Sequence, residues 1–175
     1  MTEALIRPAR FGDAAALAAL ARSTFVETFV EGFQIPYPAA DLAAYLAKAF
    51  AAEPVEAALL DGAQAWWVAE RDGALLAFAN AGPMSLPHDD GRPTHAELRR
   101  LYVARSAQGL GLGTRLLGLA LTWMQDHTGG PLWIGVWSGN EKAQRLYAGH
   151  GFEKVGQYKY PVGAWYDEEW ILRRG

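Results

Sequence analysis

A glycine-rich turn joins a predicted strand to a predicted helix in the stretch Val103-Ala104-Arg105-Ser106-Ala107-Gln108-Gly109-Leu110-Gly111-Leu112-Gly113-Thr114-Arg115-Leu116-Leu117. Glycine has no Cβ, so it adopts positive φ and lets a ligand lie against the backbone. Free backbone N–H groups in such a turn form an anion-binding nest, and the positive end of the helix dipole lies behind them. The stretch therefore predicts a site for a phosphate or a pyrophosphate.

Three glycine-rich motifs bind phosphates, and their spacings differ. A P-loop needs Gly-Lys followed by Ser or Thr, whereas Gly113 is followed directly by Thr114. A Rossmann fingerprint occupies the first βα turn and is followed by an acidic residue on a strand about 20 positions later. Here the turn lies past the middle of the chain, and Asp126 falls at the end of a predicted helix. The third motif, Q/R-x-x-G-x-G/A, is matched in order by Gln108, Gly111 and Gly113.

A second block follows the turn: Leu132-Trp133-Ile134-Gly135-Val136-Trp137, then Asn140, Ala143, Leu146, Tyr147 and Gly151-Phe152. With both blocks, the sequence resembles the GNAT superfamily of acetyl-CoA-dependent N-acetyltransferases over nearly the whole chain. The Val-Trp-x-x-Asn-x-x-Ala-x-x-x-Tyr spacing is most similar to the branch that contains bacterial polyamine acetyltransferases. The resemblance implies an α/β fold in which residues 1–175 form one domain. It also implies a mixed, mostly antiparallel twisted sheet, helices on both faces and a central strand pair that splays apart.

Composition narrows the class of protein. The chain has 175 residues, of which 51% are hydrophobic and 20% charged, as in a globular domain. It contains no cysteine, so an acetyl-cysteine intermediate is excluded. No signal peptide or membrane-spanning run is evident, which favours the cytoplasm and no membrane partner. The net charge of −3 does not indicate nucleic-acid binding and is compatible with a cationic substrate.

Hydrophobic periodicity gives a coarse order of elements. Apolar residues recur at helical spacing in some segments and alternate in others, and Gly or Pro clusters separate them. The Asp-Gly at residues 72–73 indicates a hairpin. Irregular segments are expected over residues 27–38 and 83–93. Strands are predicted over residues 5–8, 66–69, 75–81, 94–103, 132–137, 155–160 and 169–172, and helices over 13–25, 41–50, 113–127 and 140–148.

The resemblance implies a set of residues that bind the cosubstrate acetyl-CoA. The main chain of Leu101 and Val103 would hold the pantetheine arm between the splayed strands, and an N–H near Leu101 would stabilise the oxyanion. The glycine turn would hold the pyrophosphate. Asn140, which is also a candidate N-cap, and Tyr147 would contact the arm near its sulfur. The implied cosubstrate-binding residues are Leu101, Val103, Gln108, Gly109, Gly111, Gly113, Thr114, Asn140 and Tyr147.

Acetyl transfer to an amine also needs an acid and a base. By the resemblance, Tyr147 is the acid that protonates the departing thiolate, since a phenol is protonated at neutral pH. Glu97 is the predicted base, directly or through water. Glu97 stands six residues before Val103, so strand alternation predicts that it lies on the same face as Arg99, Leu101 and Val103. His95 and His150 are the other candidates for the base, and no metal ion is expected.

The acceptor is not fixed by these motifs. The leading hypothesis is transfer to a small primary amine such as a polyamine. Acetylation of a protein N-terminus or a lysine, and a non-catalytic acetyl-CoA sensor, remain alternatives, and a homodimer is compatible with all three. The acidic run Asp167-Glu168-Glu169, with Glu27 and Glu31, is typical of a solvated surface. It would receive a cationic amine if residues 27–38 folded over the site.

Overall fold

The computed structural model describes residues 3–175, which form a single mixed sheet with helices packed against it. The strands are β1 (Leu5–Pro8), β2 (Ala65–Arg71), β3 (Ala74–Pro83), β4 (Ala96–Val103), β5 (Leu132–Trp137), β6 (Glu153–Val162) and β7 (Trp165–Arg174). The α-helices are α1 (Ala14–Phe25), α2 (Ala39–Ala49), α3 (Ala52–Leu60), α4 (Leu112–His127) and α5 (Glu141–Gly149). Within these described residues, no helix is long and apolar enough to cross a lipid bilayer.

The sheet has the strand order β1-β2-β3-β4-β5-β7-β6. Only β4 and β5 run parallel, and every other pair of neighbours is antiparallel. The β2–β3 hairpin turns at Asp72 and Gly73, whose φ angles of 52° and 81° are both positive. Positive φ at both positions suits the right-handed twist of the strands. The mixed, mostly antiparallel sheet and this hairpin confirm the expectations from sequence.

The central strands β4 and β5 are paired for only part of their length. Their register joins Ala96 to Leu132 and ends where Leu98 meets Ile134. Beyond that point the two strands are no longer paired, so the β5-facing edge of β4 is open. The expected splayed pair is therefore present, and it creates a gap in the middle of the sheet.

Helices cover both faces of the sheet, as expected. On one face, α4 and α5 bury a core that includes Leu116, Met124 and Phe152 against the middle strands. On the other face, α1 and α3 cover Val68 and Phe78, which are fully buried. Burial of large apolar side chains on both sides stabilises the central strands. The rigid centre then holds the open edge of β4 in place.

Two helical segments differ from the sequence-based expectation. Helix α3 is not predicted by the sequence pattern, and it contains Pro54. That proline occupies the first turn, where its missing N–H costs nothing. After α1, the chain continues as a π-helical segment over Val26–Gly32, within the stretch expected to be irregular. Such π-helical insertions are frequent at functional sites.

Candidate active site

A cleft of about 1050 Å³ opens where β4 and β5 part. It begins at the glycine turn, follows the open edge of β4 and ends among aromatic and acidic side chains of β6, β7 and the segment after α1. The implied cosubstrate-binding residues, the predicted acid and the predicted base all line this one cleft: Glu97, Leu101, Val103, Gln108, Gly109, Gly111, Gly113, Thr114, Asn140 and Tyr147.

The glycine turn presents its backbone to the cleft. Gly109 and Gly111 have φ angles of +83° and +72°, and Gly111 is the N-cap of α4. Glycine is needed there for the backbone conformation, since a Cβ at either position would meet only open space. The N–H groups of residues 109–114 have no hydrogen-bond acceptor within residues 3–175. Free donors at the N-terminus of a 16-residue helix fit a pyrophosphate.

Asn140 and Tyr147 reach the cleft from α5. The Asn140 side-chain oxygen accepts a hydrogen bond of 3.1 Å from the Ala143 N–H, which confirms the predicted N-cap. The Asn140 NH2 group has no acceptor within the described chain, so it is free to contact a bound molecule. Tyr147 lies seven residues further along, on the face that packs against the sheet.

The environment of Tyr147 keeps its phenol protonated. The side chain is buried, and its hydroxyl has no hydrogen-bond partner among residues 3–175. Burial raises the Tyr147 pKa to about 12, and the negative charge of Glu169 contributes to the rise. A phenol with this pKa is a proton donor at neutral pH rather than a phenolate. This protonation state is the one required of the predicted acid.

The position of Glu97 differs in one respect from the expectation. Asn80 pairs with Arg100 while Ala81 pairs with Leu98, so Arg99 is an extra residue that forms a β-bulge in β4. The bulge shifts the alternation by one residue, and Leu98, Leu101 and Val103 all face the α4 side. The prediction that Glu97 shares a face with Leu101 was therefore wrong. Only a strand without a bulge would bring them together.

The Glu97 carboxylate is buried and anchored. Its Oε2 accepts hydrogen bonds of 2.7 Å from the Ser85 N–H and 2.9 Å from the Ser85 hydroxyl. Burial raises the Glu97 pKa, although the Ser85 hydrogen bonds act in the opposite direction. Glu97 thus fixes the loop that follows β3 and also lines the cleft. Its role as the base stays a prediction.

The two histidines considered as bases lie elsewhere. The His95 ring stacks on Trp133, and its Nδ1 accepts a hydrogen bond of 3.1 Å from the Trp133 indole. His150 follows α5, where its carbonyl accepts a hydrogen bond from Arg174. Neither residue lines the cleft. Within residues 3–175, no three His, Cys, Asp or Glu side chains are grouped closely enough to hold a metal ion.

The acidic run on β7 is not a uniformly solvated surface. Asp167 is buried, and it accepts hydrogen bonds of 2.5 Å from the Tyr37 hydroxyl and 3.0 Å from the Trp165 indole. Glu168 points outward, and Glu169 points back into the cleft. The predicted strand begins only at Glu169, whereas β7 begins four residues earlier, at Trp165. Alternation along the longer strand turns Asp167 and Glu169 to one side and Glu168 to the other.

Glu169 is a carboxyl group without a partner. It is half-buried, lines the cleft and has no hydrogen bond to any described residue. Burial raises the Glu169 pKa to about 8, and the negative charge of Asp167 adds to the effect. A half-buried carboxyl group with a raised pKa in a cleft is a candidate functional group.

The raised pKa of Glu169 predicts a specific pH dependence of stability. Between its ordinary pKa of 4.5 and about 8, the folded protein retains a proton that the unfolded chain has lost. Stability should therefore fall as pH rises through this window, by up to about 1.4 kcal/mol per pH unit. Glu169→Gln should abolish this fall in stability. The variant should be more stable than wild type at pH 8 and about as stable as wild type near pH 4.5. Urea unfolding across this range measures the difference, and parallel curves for both proteins would refute the pKa assignment.

The segment after α1 covers one wall of the cleft. The Glu27 carboxylate accepts a hydrogen bond of 2.8 Å from the Arg105 N–H, and the Arg105 guanidinium donates to the Glu27 carbonyl at 2.9 Å. Arg105 also forms an ion pair of 2.9 Å with Glu31. These contacts tie the π-helical segment to the strand-to-turn junction. Phe29 lines the cleft from this segment, as do Phe25 at the end of α1 and Phe33 just after the segment.

Comparisons with known proteins agree with this architecture. Residues 22–152 match the model of the acetyltransferase (GNAT) family. An uncharacterized N-acetyltransferase of Mycobacterium tuberculosis is 30% identical over 162 residues, which cover 93% of this chain and 97% of that protein.

Two solved structures share the fold over nearly the full length of the chain. PaiA N-acetyltransferase from Thermoplasma acidophilum, in complex with coenzyme A, has a TM-score of 0.76 at 17% identity, covering 99% of each chain. Ribosomal-protein-alanine N-acetyltransferase from Brucella melitensis has a TM-score of 0.69 at 26% identity, covering 97% of this chain and 98% of that one. With the family match over residues 22–152 and the cleft described above, the chain belongs to the GNAT family of acetyl-CoA-dependent N-acetyltransferases.

Proposed function

We propose that this enzyme transfers the acetyl group of acetyl-CoA to a cationic primary amine, a small molecule such as a polyamine, by direct attack in a ternary complex. The observation that carries the proposal is the polarity of the cleft. One end has the free N–H groups of the glycine turn, and the other has the carboxyl groups of Asp167 and Glu169. An anionic cosubstrate and a cationic acceptor would thus enter from opposite ends.

Backbone groups of the cleft would bind the acetyl donor, acetyl-CoA. The pyrophosphate would bind the free N–H groups of Gly109, Gly111, Gly113 and Thr114, where the helix dipole adds a favourable field. Gln108, whose N–H donates to the Arg105 carbonyl at 3.3 Å, would contribute its side chain. The pantetheine arm would lie along the open edge of β4 at Leu101 and Val103. It would complete the sheet through main-chain hydrogen bonds, as an added strand does.

The reacting atoms would then lie between β4 and α5. A backbone N–H near Leu101 would stabilise the oxyanion of the tetrahedral intermediate. The free Asn140 amide would hold the arm near its sulfur. Tyr147, kept neutral by burial, would donate its proton to the thiolate as the C–S bond breaks. Each group is held by an element of the rigid core.

The end of the cleft that would bind the acceptor amine is lined by aromatic as well as acidic side chains. Phe29, Phe33 and Trp137 pack together at the cleft, with ring centroids of Phe33 and Trp137 4.6 Å apart. Tyr158 and Tyr160 line the same region from β6. Aromatic faces and carboxylates together favour an organic cation. A small ammonium compound therefore fits this end of the cleft.

A second candidate acceptor is a protein N-terminus. The Brucella relative, which is 26% identical over nearly the whole chain, is a ribosomal-protein-alanine N-acetyltransferase. A peptide α-amino group presents the same nucleophile as a small amine. A peptide and a small amine differ in length and in the charged groups that they carry beyond the reacting amine.

Amine-dependent release of free thiol from acetyl-CoA tests the proposed function. The panel comprises polyamines, monoamines, lysine and peptides with free N-terminal alanine. The proposal expects fast release with the polycationic small amines and slow release with the peptides. Preference for the peptides would favour the second candidate. Binding of acetyl-CoA with no release by any amine would contradict enzymatic transfer and indicate a sensor.

Direct transfer predicts a kinetic pattern. The chain has no cysteine to carry an acetyl group, so both substrates should be bound before chemistry occurs. Initial rates measured at varied concentrations of both substrates should give intersecting double-reciprocal lines. Parallel lines, together with an acetylated protein that passes its acetyl group to the amine, would contradict the ternary complex.

A further inference from the structure

The proposed acetyl transfer needs a base that removes a proton from the ammonium group of the acceptor, and the observed contacts do not yet identify that base. We propose that Glu169, on β7, binds that ammonium and accepts its proton. This inference rests on the proposed acetyl transfer and assigns a residue that the sequence motifs do not identify. Glu97 then acts as a positioning residue that holds the loop after β3.

Strand register places Glu169 beside the open half of the cleft. Glu169 pairs with Trp137 on β5 and with Tyr158 on β6. Trp137 is the last residue of β5, beyond the point where β5 stops pairing with β4. The side chain of Glu169 therefore lies where the strands have separated, close to the N-terminus of α5. Its charge also acts on Tyr147, whose pKa it helps to raise.

Glu97 occupies the opposite, closed end of the strand pair. It pairs with Trp133, within the short stretch where β4 and β5 are still hydrogen-bonded. Its Oε2 is already occupied by the two Ser85 donors. No described residue donates a hydrogen bond to the Glu169 side chain, and β4 no longer pairs with β5 at Trp137, the β5 residue beside it. Of the two carboxyl groups, Glu169 is the one with both oxygens free to meet an ammonium.

The groups around Glu169 suit a proton acceptor. Its pKa of about 8 results from burial and from the charge of Asp167, and a base is most effective when its pKa lies near the working pH. A cation bound beside it would favour its ionised form. The other ionisable groups that line the cleft come from every element around it: Glu27, Tyr45, Glu97, Arg99, Arg100, Tyr102, Arg105, Lys142, Tyr147, Tyr158, Tyr160 and Asp167.

The proton balance of the step is complete. The ammonium gives one proton to the Glu169 carboxylate, and the freed nitrogen lone pair forms the N–C bond to the thioester carbon. The C–S bond breaks with its electron pair on sulfur, and the thiolate takes the Tyr147 proton. The second proton of the nitrogen returns to Tyr147 through solvent, and Glu169 releases its proton to solvent. The products are the acetamide and the free thiol.

The pH dependence of kcat/KM for the acceptor tests this assignment in wild type and in Glu169→Gln, Glu97→Gln and Glu168→Gln. Glu168→Gln is the matched control, because Glu168 is adjacent on β7 and points outward. Wild type and Glu168→Gln should show an ionisation near pH 8 that Glu169→Gln lacks. Below pH 8, kcat/KM for the acceptor should be roughly 10²–10⁴-fold lower in Glu169→Gln than in wild type. Glu169→Asp, which keeps a carboxylate, should retain the ionisation at a lower rate.

The acceptor itself provides a second readout. The loss in Glu169→Gln should shrink for a weakly basic amine that is already neutral at the assay pH, because no proton must then be removed. Acetyl-CoA affinity, measured by calorimetry, should be unchanged in each variant. An active wild type with an unaltered pH profile in Glu169→Gln would overturn the inference, as would an equal loss with weakly and strongly basic amines. A wild type that acetylates no amine would instead overturn the proposed function, and the inference with it.

Discussion

Replacing Gly111 by glutamate is expected to abolish acetyl-CoA binding while the fold is retained. Gly111 is the N-cap of α4, and a side chain there would project into the open cleft. The substitution puts a carboxylate where the free N–H groups would hold a pyrophosphate, so like charges would repel inside the anion nest. Calorimetric titration with acetyl-CoA should show no measurable binding, and circular dichroism should match wild type.

Two further variants separate charge from backbone strain. Gly118→Glu adds the same charge to the exposed surface of α4, outside the cleft, and should bind acetyl-CoA normally. Gly111→Ala adds only the strain of a left-handed backbone, roughly 1–2 kcal/mol, and should weaken binding far less than glutamate. A folded Gly111→Glu protein that binds acetyl-CoA with wild-type affinity would show that the pyrophosphate does not bind at this turn.

Replacing Tyr147 by phenylalanine is expected to lower kcat by roughly 10²–10⁴-fold, the usual contribution of general acid catalysis. The ring and its packing against Phe152 are kept, with centroids 6.4 Å apart in the native protein. The lost hydroxyl has no hydrogen-bond partner within residues 3–175, so stability should change little. Steady-state kinetics with acetyl-CoA and the best amine of the panel would measure the effect.

Tyr166→Phe is the matched control for this prediction. Tyr166 lies on β7, is 58% exposed and does not line the cleft, so the same chemical change there should leave kcat unaltered. Acetyl-CoA affinity should be similar in both variants and in wild type. If Tyr147→Phe kept full kcat, or lost affinity for acetyl-CoA instead, the proton donor would have to be solvent or another group.

The features that the sequence predicts well are local. The glycine turn depends on backbone conformations at Gly109 and Gly111 and on the helix that follows, all within a few residues. The Asn140 N-cap and the Asp72-Gly73 hairpin are likewise determined by neighbours in the chain. Short-range chemistry of this kind is visible in a single sequence.

The features that the sequence did not reveal depend on contacts between distant segments. The bulge at Arg99 arises from the pairing of β3 with β4, and it reverses the face expected for Glu97. The inward direction of Asp167 depends on the full length of β7, and its carboxylate is held by Tyr37, which lies 130 residues earlier. Nothing in the acidic run itself distinguishes Glu169 from Glu168. Only the assembled sheet places one in the cleft and the other in solvent.

The structure of the protein crystallised with coenzyme A would test the central claim most directly. We expect the pyrophosphate oxygens within hydrogen-bond distance of the N–H groups of residues 109–114. The pantetheine arm should lie along the open edge of β4 beyond Leu98, and the sulfur should meet the Tyr147 hydroxyl. Coenzyme A bound elsewhere, or bound in the cleft with its pyrophosphate away from the glycine turn, would contradict the account.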